Sequence, residues 1–216
     1  MKKLFFIFSV LSIILFACSD AKKDKDTSTE GNTTDTTMNK QANMEMPDSA
    51  TMMKNWQAYM TPGNMQKMMA KSDGTWEADI TMWMDPNTPA QKSTGEVVNK
   101  MIMNGLYQES SHSGQMMGQA FSGLSITGFD NHLQQFVSTW IDNMGSGIMV
   151  MKGPWDEATK TITLTGTMVD PTTKGNVDVK ETIQFVDDNS QVFEMFMKTP
   201  DGKEVKTMHI DYKRKK

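Results

Sequence analysis

The chain has 216 residues, of which 38% are hydrophobic and 22% are charged, a composition that predicts one modest globular domain and excludes a collagen, a coiled coil or a polytopic membrane protein. Its net charge of −4 argues against nucleic acid as a partner, because phosphate binding needs clustered Lys and Arg. The single Cys excludes a disulfide framework and a zinc site of paired cysteines. Methionine is the compositional outlier, with 23 residues against 3 Tyr and 5 Trp.

The N-terminus has the pattern of an export signal. Lys2 and Lys3 precede an apolar run that is shorter than the roughly 20 residues needed to cross a bilayer. The run ends in Leu15-Phe16-Ala17-Cys18, which resembles the lipobox of bacterial lipoproteins, where the cysteine is acylated and the preceding peptide is removed. We therefore expect a signal peptide over residues 1–17 and an acyl chain of the palmitate class on Cys18.

This interpretation predicts a bacterial envelope protein held at a membrane, most simply the outer membrane, through its N-terminal lipid. The folded domain would then lie in the periplasm or at the cell surface. Residues 18–47 follow as a tether, because Ser19 to Thr51 contains no Leu, Ile, Val, Phe, Trp or Tyr and has too little apolar surface to fold.

Residues 48–73 carry two short helical patterns. In the first, Ser49 is the predicted N-cap of a helix with one apolar stripe, formed by Met52, Met53, Trp56 and Met60. In the second, Thr61 is the predicted N-cap, Pro62 stands at the first helical position, and Met65, Met68 and Met69 point inward. We expect both helices to pack against the domain that follows.

From Gly74 to the C-terminus the pattern changes from helical to alternating, with recurring turn signals. Ten strands joined by short loops predict an all-β domain over residues 74–216, an antiparallel up-and-down barrel that removes its sheet edges by closing. A two-sheet β-sandwich is the alternative. The clearest hairpin signal is Asn104-Gly105, which predicts a tight two-residue turn.

One face of each predicted strand is apolar, as in Trp76, Ala78, Ile80 and Met82, while the residues between them are polar. Such alternation places one face in water and the other in the interior. The sequence therefore predicts an apolar barrel interior.

Short motifs that combine Trp, Gly and Asp carry a family resemblance: Gly74-Thr75-Trp76, Thr81-Met82-Trp83-Met84, Gly128-Phe129-Asp130, Ser138 through Gly145, and Gly153-Pro154-Trp155-Asp156. Over about residues 50 to 213 the chain resembles the bacterial family known as domain of unknown function 1579. The resemblance implies a calycin-like barrel, related to the lipocalins, and no established activity. Gly74-x-Trp76 is similar to the lipocalin Gly-x-Trp signature, in which the Trp packs under a basic side chain from the end of the barrel. The resemblance implies that role for Arg214 or Lys213.

No catalytic motif stands out. The sequence lacks a nucleophile elbow, a His-Glu-x-x-His zinc motif and a Walker loop, so we predict neither an enzyme nor a metal or cofactor site. His209 is predicted to face solvent, with haem ligation as the alternative. His132 is predicted in a solvated loop, and His112 near a barrel mouth. Glu194 fits either a buried carboxylate or one facing water.

Methionine pairs at alternate positions put two thioethers on one strand face: Met82/Met84, Met101/Met103, Met149/Met151 and Met195/Met197. Flexible Met side chains suit an adaptable apolar cavity, and we predict that the barrel binds a small apolar ligand. The residues predicted to line that site are Trp76, Met82, Met84, Met101, Met103, Trp140 and Met195. The alternatives are capture of Cu(I) by thioethers, scavenging of oxidants by Met, and a non-catalytic envelope scaffold with a filled core.

Overall fold

The computed structural model describes residues 46–85, 88–171, 173–199 and 201–216. The predicted signal peptide, the acylated Cys18 and the tether up to residue 45 lie outside the described residues and stay predictions. Among the residues that are described, no helix is both long and apolar enough to span a membrane.

Two helices precede the sheet: α1 covers Ser49–Met60 and α2 covers Asn64–Ala70. Both predicted N-caps are wrong by one or two residues. Asp48 caps α1, because its carboxylate accepts a hydrogen bond from the Thr51 N–H at 2.9 Å. Gly63 precedes α2, and its N–H donates to Gln66 Oε1 at 2.8 Å, so the glutamine side chain provides the cap that Thr61 was expected to supply.

The two helices differ in how they meet the sheet. Met69 of α2 is 1% exposed and belongs to the buried core, as predicted. In α1 no residue is buried, and Trp56 is 61% exposed. The expected packing of segment 48–73 therefore holds for α2 and is wrong for the apolar stripe of α1. Polar contacts, such as the one from the Tyr59 hydroxyl to Asp130, tie α1 to the sheet instead.

Antiparallel strands make up the rest of the described chain: β1 Gly74–Met82, β2 Gln91–Ile102, β3 Tyr107–Met116, β4 Gln119–Asp130, β5 Gln135–Asp142, β6 Met149–Gly153, β7 Trp155–Asp156, β8 Thr161–Asp170, β9 Gly175–Asp187, β10 Ser190–Lys198 and β11 Glu204–Arg214. Strands β1 through β6 pair in chain order, strands β7 through β11 do the same, and β1 pairs with β11. Pairing of β6 with β8 closes the circle. The predicted ten-stranded closed barrel is confirmed, with two-residue β7 as an extra strand, and the sandwich is excluded.

The Asn104-Gly105 hairpin is longer than predicted. Ile102 pairs with Tyr107, so four residues form the connection. Met103, Asn104 and Gly105 all have positive φ, at 49°, 58° and 81°. The tight two-residue turn occurs at the next hairpin instead, where Met117 and Gly118 have φ of 52° and 76°.

The start of β1 is locked to the end of β11. The Trp76 indole N–H donates to the Ser72 carbonyl at 2.8 Å, and the Arg214 guanidinium carbon lies 4.3 Å from the centroid of the indole. Arg214 also donates to the backbone carbonyls of Asp73 and Lys71. The basic residue implied by the lipocalin resemblance is therefore Arg214 and not Lys213.

Gly74 makes this arrangement possible. Its φ is +120°, a conformation that side chains with a Cβ rarely adopt. A Cβ at this position would also lie 3.1 Å from Arg214 Nη1. Backbone conformation and space for the guanidinium thus both explain why glycine stands two residues before Trp76.

Candidate ligand site inside the barrel

The strand register decides which side chains point into the barrel. A buried cluster occupies α2 and the wall formed by β5, β6, β8 and β9; it consists of Met69, Phe136, Met151, Ile162, Leu164 and Val179. Trp76, Ala78 and Val97 are buried on β1 and β2. Other inward residues keep accessible surface. We call seven of these the half-buried interior set: Met82, His112, Trp140, Glu181, Met195, Met208 and Tyr212.

Three members of this set bring thioethers together. Met208 pairs with Met82 on one side and with Met195 on the other, so methionines from β1, β11 and β10 are cross-strand neighbours. Directly opposed residues on one sheet face contact each other through their side chains. Met195 is paired in turn with Glu181 of β9, which places a carboxyl group beside the thioethers.

A second group surrounds Trp140 on the facing wall. The His112 ring meets the Trp140 ring edge-on at 4.9 Å between centroids, and Phe121 stacks beside it at 6.3 Å. The indole N–H of Trp140 donates to Asp142 Oδ2 at 2.7 Å. Gly123 lies beneath the indole, since a Cβ there would be 2.5 Å from Trp140 Cη2.

Burial shifts the titration of the interior groups. It raises the pKa of Glu181 to about 7 and lowers the pKa of His112 to about 4, because both lose the water that would solvate their charged forms. Burial, with the nearby Glu181 charge, also raises the pKa of Tyr212. At neutral pH His112 is therefore uncharged, and Glu181 carries its proton for part of the time.

Glu181 and Tyr212 combine these shifts with accessible surface. Both are dehydrated enough to titrate abnormally, yet neither residue is fully buried. In the described residues, every fully inaccessible side-chain nitrogen or oxygen has a hydrogen-bond partner.

The predicted ligand-binding residues separate into three groups. Met82, Met101, Trp140 and Met195 point inward. Trp76 also points inward, but it is sealed beneath Arg214 and 1% exposed. Met84 and Met103 are 58% and 68% exposed, so the Met82/Met84 and Met101/Met103 pairs do not share an inward face. The reason is that β1 ends at Met82 and β2 at Ile102.

Glu181 was missed in the sequence, although a signal was present. Alternation through Val177, Val179, Ile183 and Phe185 puts residue 181 on the inward face. A carboxylate between apolar neighbours interrupts that face and is a candidate functional group. A polar residue that interrupts an apolar strand face therefore indicates a functional site better than the regular apolar positions around it.

The remaining candidates lie outside the barrel. His209 faces outward, as predicted, with its ring nitrogens 3.3 Å from Glu194 and from Asp211. Glu194 also pairs with Lys206 on the outer face, which settles the two alternatives left open for this carboxylate. His132 is exposed in the loop after β4, as predicted.

Comparison with solved structures finds chains of similar fold at low sequence identity. The crystal structure of Rv2717c from M. tuberculosis covers 72% of this chain and 100% of its own at 10% identity, with a TM-score of 0.55, and this likeness shows the fold alone. The S-type phycobiliprotein lyase CPES from Guillardia theta covers 70% and 93% at 11% identity with a TM-score of 0.48. A redesigned β-barrel, b11L5F_LGL, covers 68% and 95% at 13% identity with a TM-score of 0.36.

Sequence comparison adds one family and no individual protein. A search of the curated proteins finds no match. A family model described as "Protein of unknown function (DUF1579)" matches residues 61–214. The matched span runs from the end of α1 through the last strand.

Proposed function

The chain belongs to the DUF1579 family, and from the geometry of its interior we propose that it binds a small, mainly apolar molecule inside the barrel. The observation that carries this proposal is the half-buried interior set. These side chains point into a closed barrel and still retain accessible surface, as expected of residues that line a ligand cavity.

The chemistry of the set favours an apolar ligand. Thioethers from Met82, Met195 and Met208 provide a surface that adapts to irregular shapes. Trp140 adds a large aromatic face that is fixed by its bond to Asp142. The few polar groups, His112, Glu181 and Tyr212, are suited to orienting a ligand, so we propose a binding protein and assign no reaction.

Native mass spectrometry of protein purified from its own source, followed by extraction of bound molecules, tests this proposal. A stoichiometric apolar compound is the expected result. Met195→Trp, which fills the interior, should reduce the amount recovered, whereas Thr167→Trp on the exposed outer face of β8 should not. Recovery of no compound, together with a structure whose interior is filled by side chains, would instead favour the scaffold.

We also propose that the domain is held at an envelope membrane by acylation of Cys18. The support is the lipobox-like sequence together with the low apolar content of the segment that follows. Detergent phase partitioning of the wild type and Cys18→Ala tests it, with the wild type alone expected in the detergent phase. Equal partitioning of both forms would contradict the anchor.

A second candidate function is Cu(I) binding, favoured by the register of Met82, Met208 and Met195. Three thioethers from adjacent strands form the soft donor set that Cu(I) prefers. Competition against a Cu(I) chelator should show tight binding that is lost when all three become Leu. Met101→Leu, an inward change on β2, is the matched control.

A further inference from the structure

The carboxyl group of Glu181 has no partner within the barrel wall. None of the hydrogen bonds and ion pairs among the described residues involves it. Its cross-strand neighbours are Leu164 on β8 and Met195 on β10, and both are apolar. An unpaired carboxyl group in such surroundings is destabilising unless something else satisfies it.

The lysines near Glu181 do not supply that partner. Lys180, the residue before it, points outward and pairs with Glu204. Lys206 on β11 pairs with Glu194, also on the outer face. Arg214 lies at the end of the barrel, where it is held by Trp76 and by backbone carbonyls of the segment that joins α2 to β1. Glu194 and Glu204 on the outer face are thus paired with lysines, whereas Glu181 on the inner face has no cation beside it among the described residues.

The other polar residues of the half-buried interior set do not replace a cation. His112 is uncharged at neutral pH, because burial lowers its pKa to about 4. Tyr212 is close enough for the charge of Glu181 to raise its pKa, so its hydroxyl remains protonated. Within this set, a positive group that enters the barrel would therefore meet the acidic group of Glu181 and no competing positive charge.

We propose that the barrel binds an apolar amine, with the hydrocarbon body among Met82, Met195 and Met208 and the ammonium group bonded to the carboxylate of Glu181. This inference rests on the proposed function and specifies the class of ligand. The ammonium supplies hydrogen-bond donors and the missing counter-charge in one group. The thioethers beside Glu181 accommodate the chain that follows it.

Calorimetric titration with two probes of equal length, octylamine and 1-octanol, tests the proposal. Wild-type protein should bind octylamine at least about tenfold more tightly than octanol, the difference expected for a charge-assisted hydrogen bond inside a protein. Glu181→Gln keeps the shape but removes the charge. It should abolish the preference for the amine and leave the affinity for octanol within about twofold.

Glu194→Gln is the matched control, because it removes a carboxylate on the outer face of the adjacent strand. The preference for octylamine should survive this change, whereas non-specific attraction of an amine to an acidic protein would weaken equally in both variants. In the wild type, raising the pH through about 7 should tighten octylamine binding as Glu181 ionises, with octanol binding unchanged. This arm tests the proposal even if Glu181→Gln does not fold.

The outcomes separate the two proposals. Octanol binding without a preference for octylamine would overturn the amine proposal and retain the apolar site. Failure of both probes to bind would overturn both. Preference that persists in Glu181→Gln, or that does not rise with pH, would assign amine binding to another group and overturn the role of Glu181.

Discussion

Arg214, the last residue of β11, covers the indole face of Trp76 near the start of β1, with 4.3 Å between the guanidinium carbon and the ring centroid. The same guanidinium donates to carbonyls in the segment that joins α2 to β1. One side chain thus connects the first strand, the last strand and the end of the helix. This contact accounts for the Gly-x-Trp signature in structural terms.

Replacement of Arg214 by Gln should therefore lower stability. We expect the free energy of unfolding to fall by about 2 kcal/mol, because both the cation–π contact and hydrogen bonds to carbonyls are lost. Lys213→Gln is the control, since Lys213 bonds only to Ser190 at the surface, and its effect should stay within about 0.5 kcal/mol. Urea denaturation measures both. Equal losses would show that the contact with Trp76 contributes little.

Gly74→Ala should destabilise the barrel for a related reason. The alanine must adopt a φ of +120° and place its Cβ 3.1 Å from Arg214 Nη1, and we expect a cost of about 2 kcal/mol. Gly147→Ala is a suitable comparison, because no heavy atom lies within 4 Å of the added Cβ and its φ is not positive. Thermal denaturation should separate the variants by several degrees, and similar midpoints would contradict the explanation of Gly74.

Glu181 and His112 should act on stability in opposite directions as pH changes. The folded pKa of Glu181 is raised from 4.5 to about 7, so its stabilising contribution is full below about pH 4.5 and is lost as pH rises through 7. The folded pKa of His112 is lowered from 6.5 to about 4, so its contribution is full above 6.5 and is lost as pH falls through 4. Between about pH 4.5 and 6.5 the two effects offset each other.

The variant Glu181→Gln should reveal how each of these two groups changes the free energy of unfolding with pH. The change in the free energy of unfolding caused by Glu181→Gln should be about 3 kcal/mol more favourable at pH 8 than at pH 4.5, because the variant has no buried charge at the higher pH. The same variant should then lose stability steeply below about pH 6.5, because the His112 effect is no longer offset. Urea denaturation across this pH range provides the measurement. If the free energy of unfolding of Glu181→Gln differed from that of the wild type by the same amount at every pH, the burial-induced pKa changes would be contradicted.

The two helices should respond very differently to truncation. Met69→Ala on α2 removes a side chain that is 1% exposed and should cost about 3 kcal/mol through loss of core packing. Trp56→Ala on α1 removes a larger side chain that is 61% exposed, and its effect should stay within about 0.5 kcal/mol. A large loss at Trp56, measured by urea denaturation, would mean that α1 packs more closely than its exposure indicates.

Much of the fold was predictable because alternation reports directly on the two faces of a strand. It indicated the ten strands, the closed barrel and the outward position of His209. Alternation did not indicate where the strands end, and for this reason the predicted inward positions of Met84 and Met103 are wrong. The turn geometry at residues 103–105 depends on the whole hairpin and not on the alternation within one strand. The prediction that the apolar stripe of α1 packs against the barrel failed for another reason. Amphipathic spacing predicts a helix but does not establish what covers its apolar face.

The candidate site was less predictable. Met82, Trp140 and Met195 follow from alternation, but the contact of His112 with Trp140 depends on strand register, which brings residues 28 positions apart together. Finding Glu181 from the sequence requires noticing a carboxylate that interrupts the alternating apolar residues of its strand. Its missing counter-charge is visible only after the neighbouring lysines have been assigned to the outer face.

Pairing of β1 with β11 has a consequence for the folding of the barrel. These strands are separated by more than 120 residues, and the barrel remains an open sheet until the final segment arrives. A chain that stops before Glu204 lacks β11 and leaves both β1 and β10 with free backbone N–H and C=O groups. Two such edges are templates for pairing with other chains, so we expect loss of the C-terminal strand to make the protein prone to aggregation.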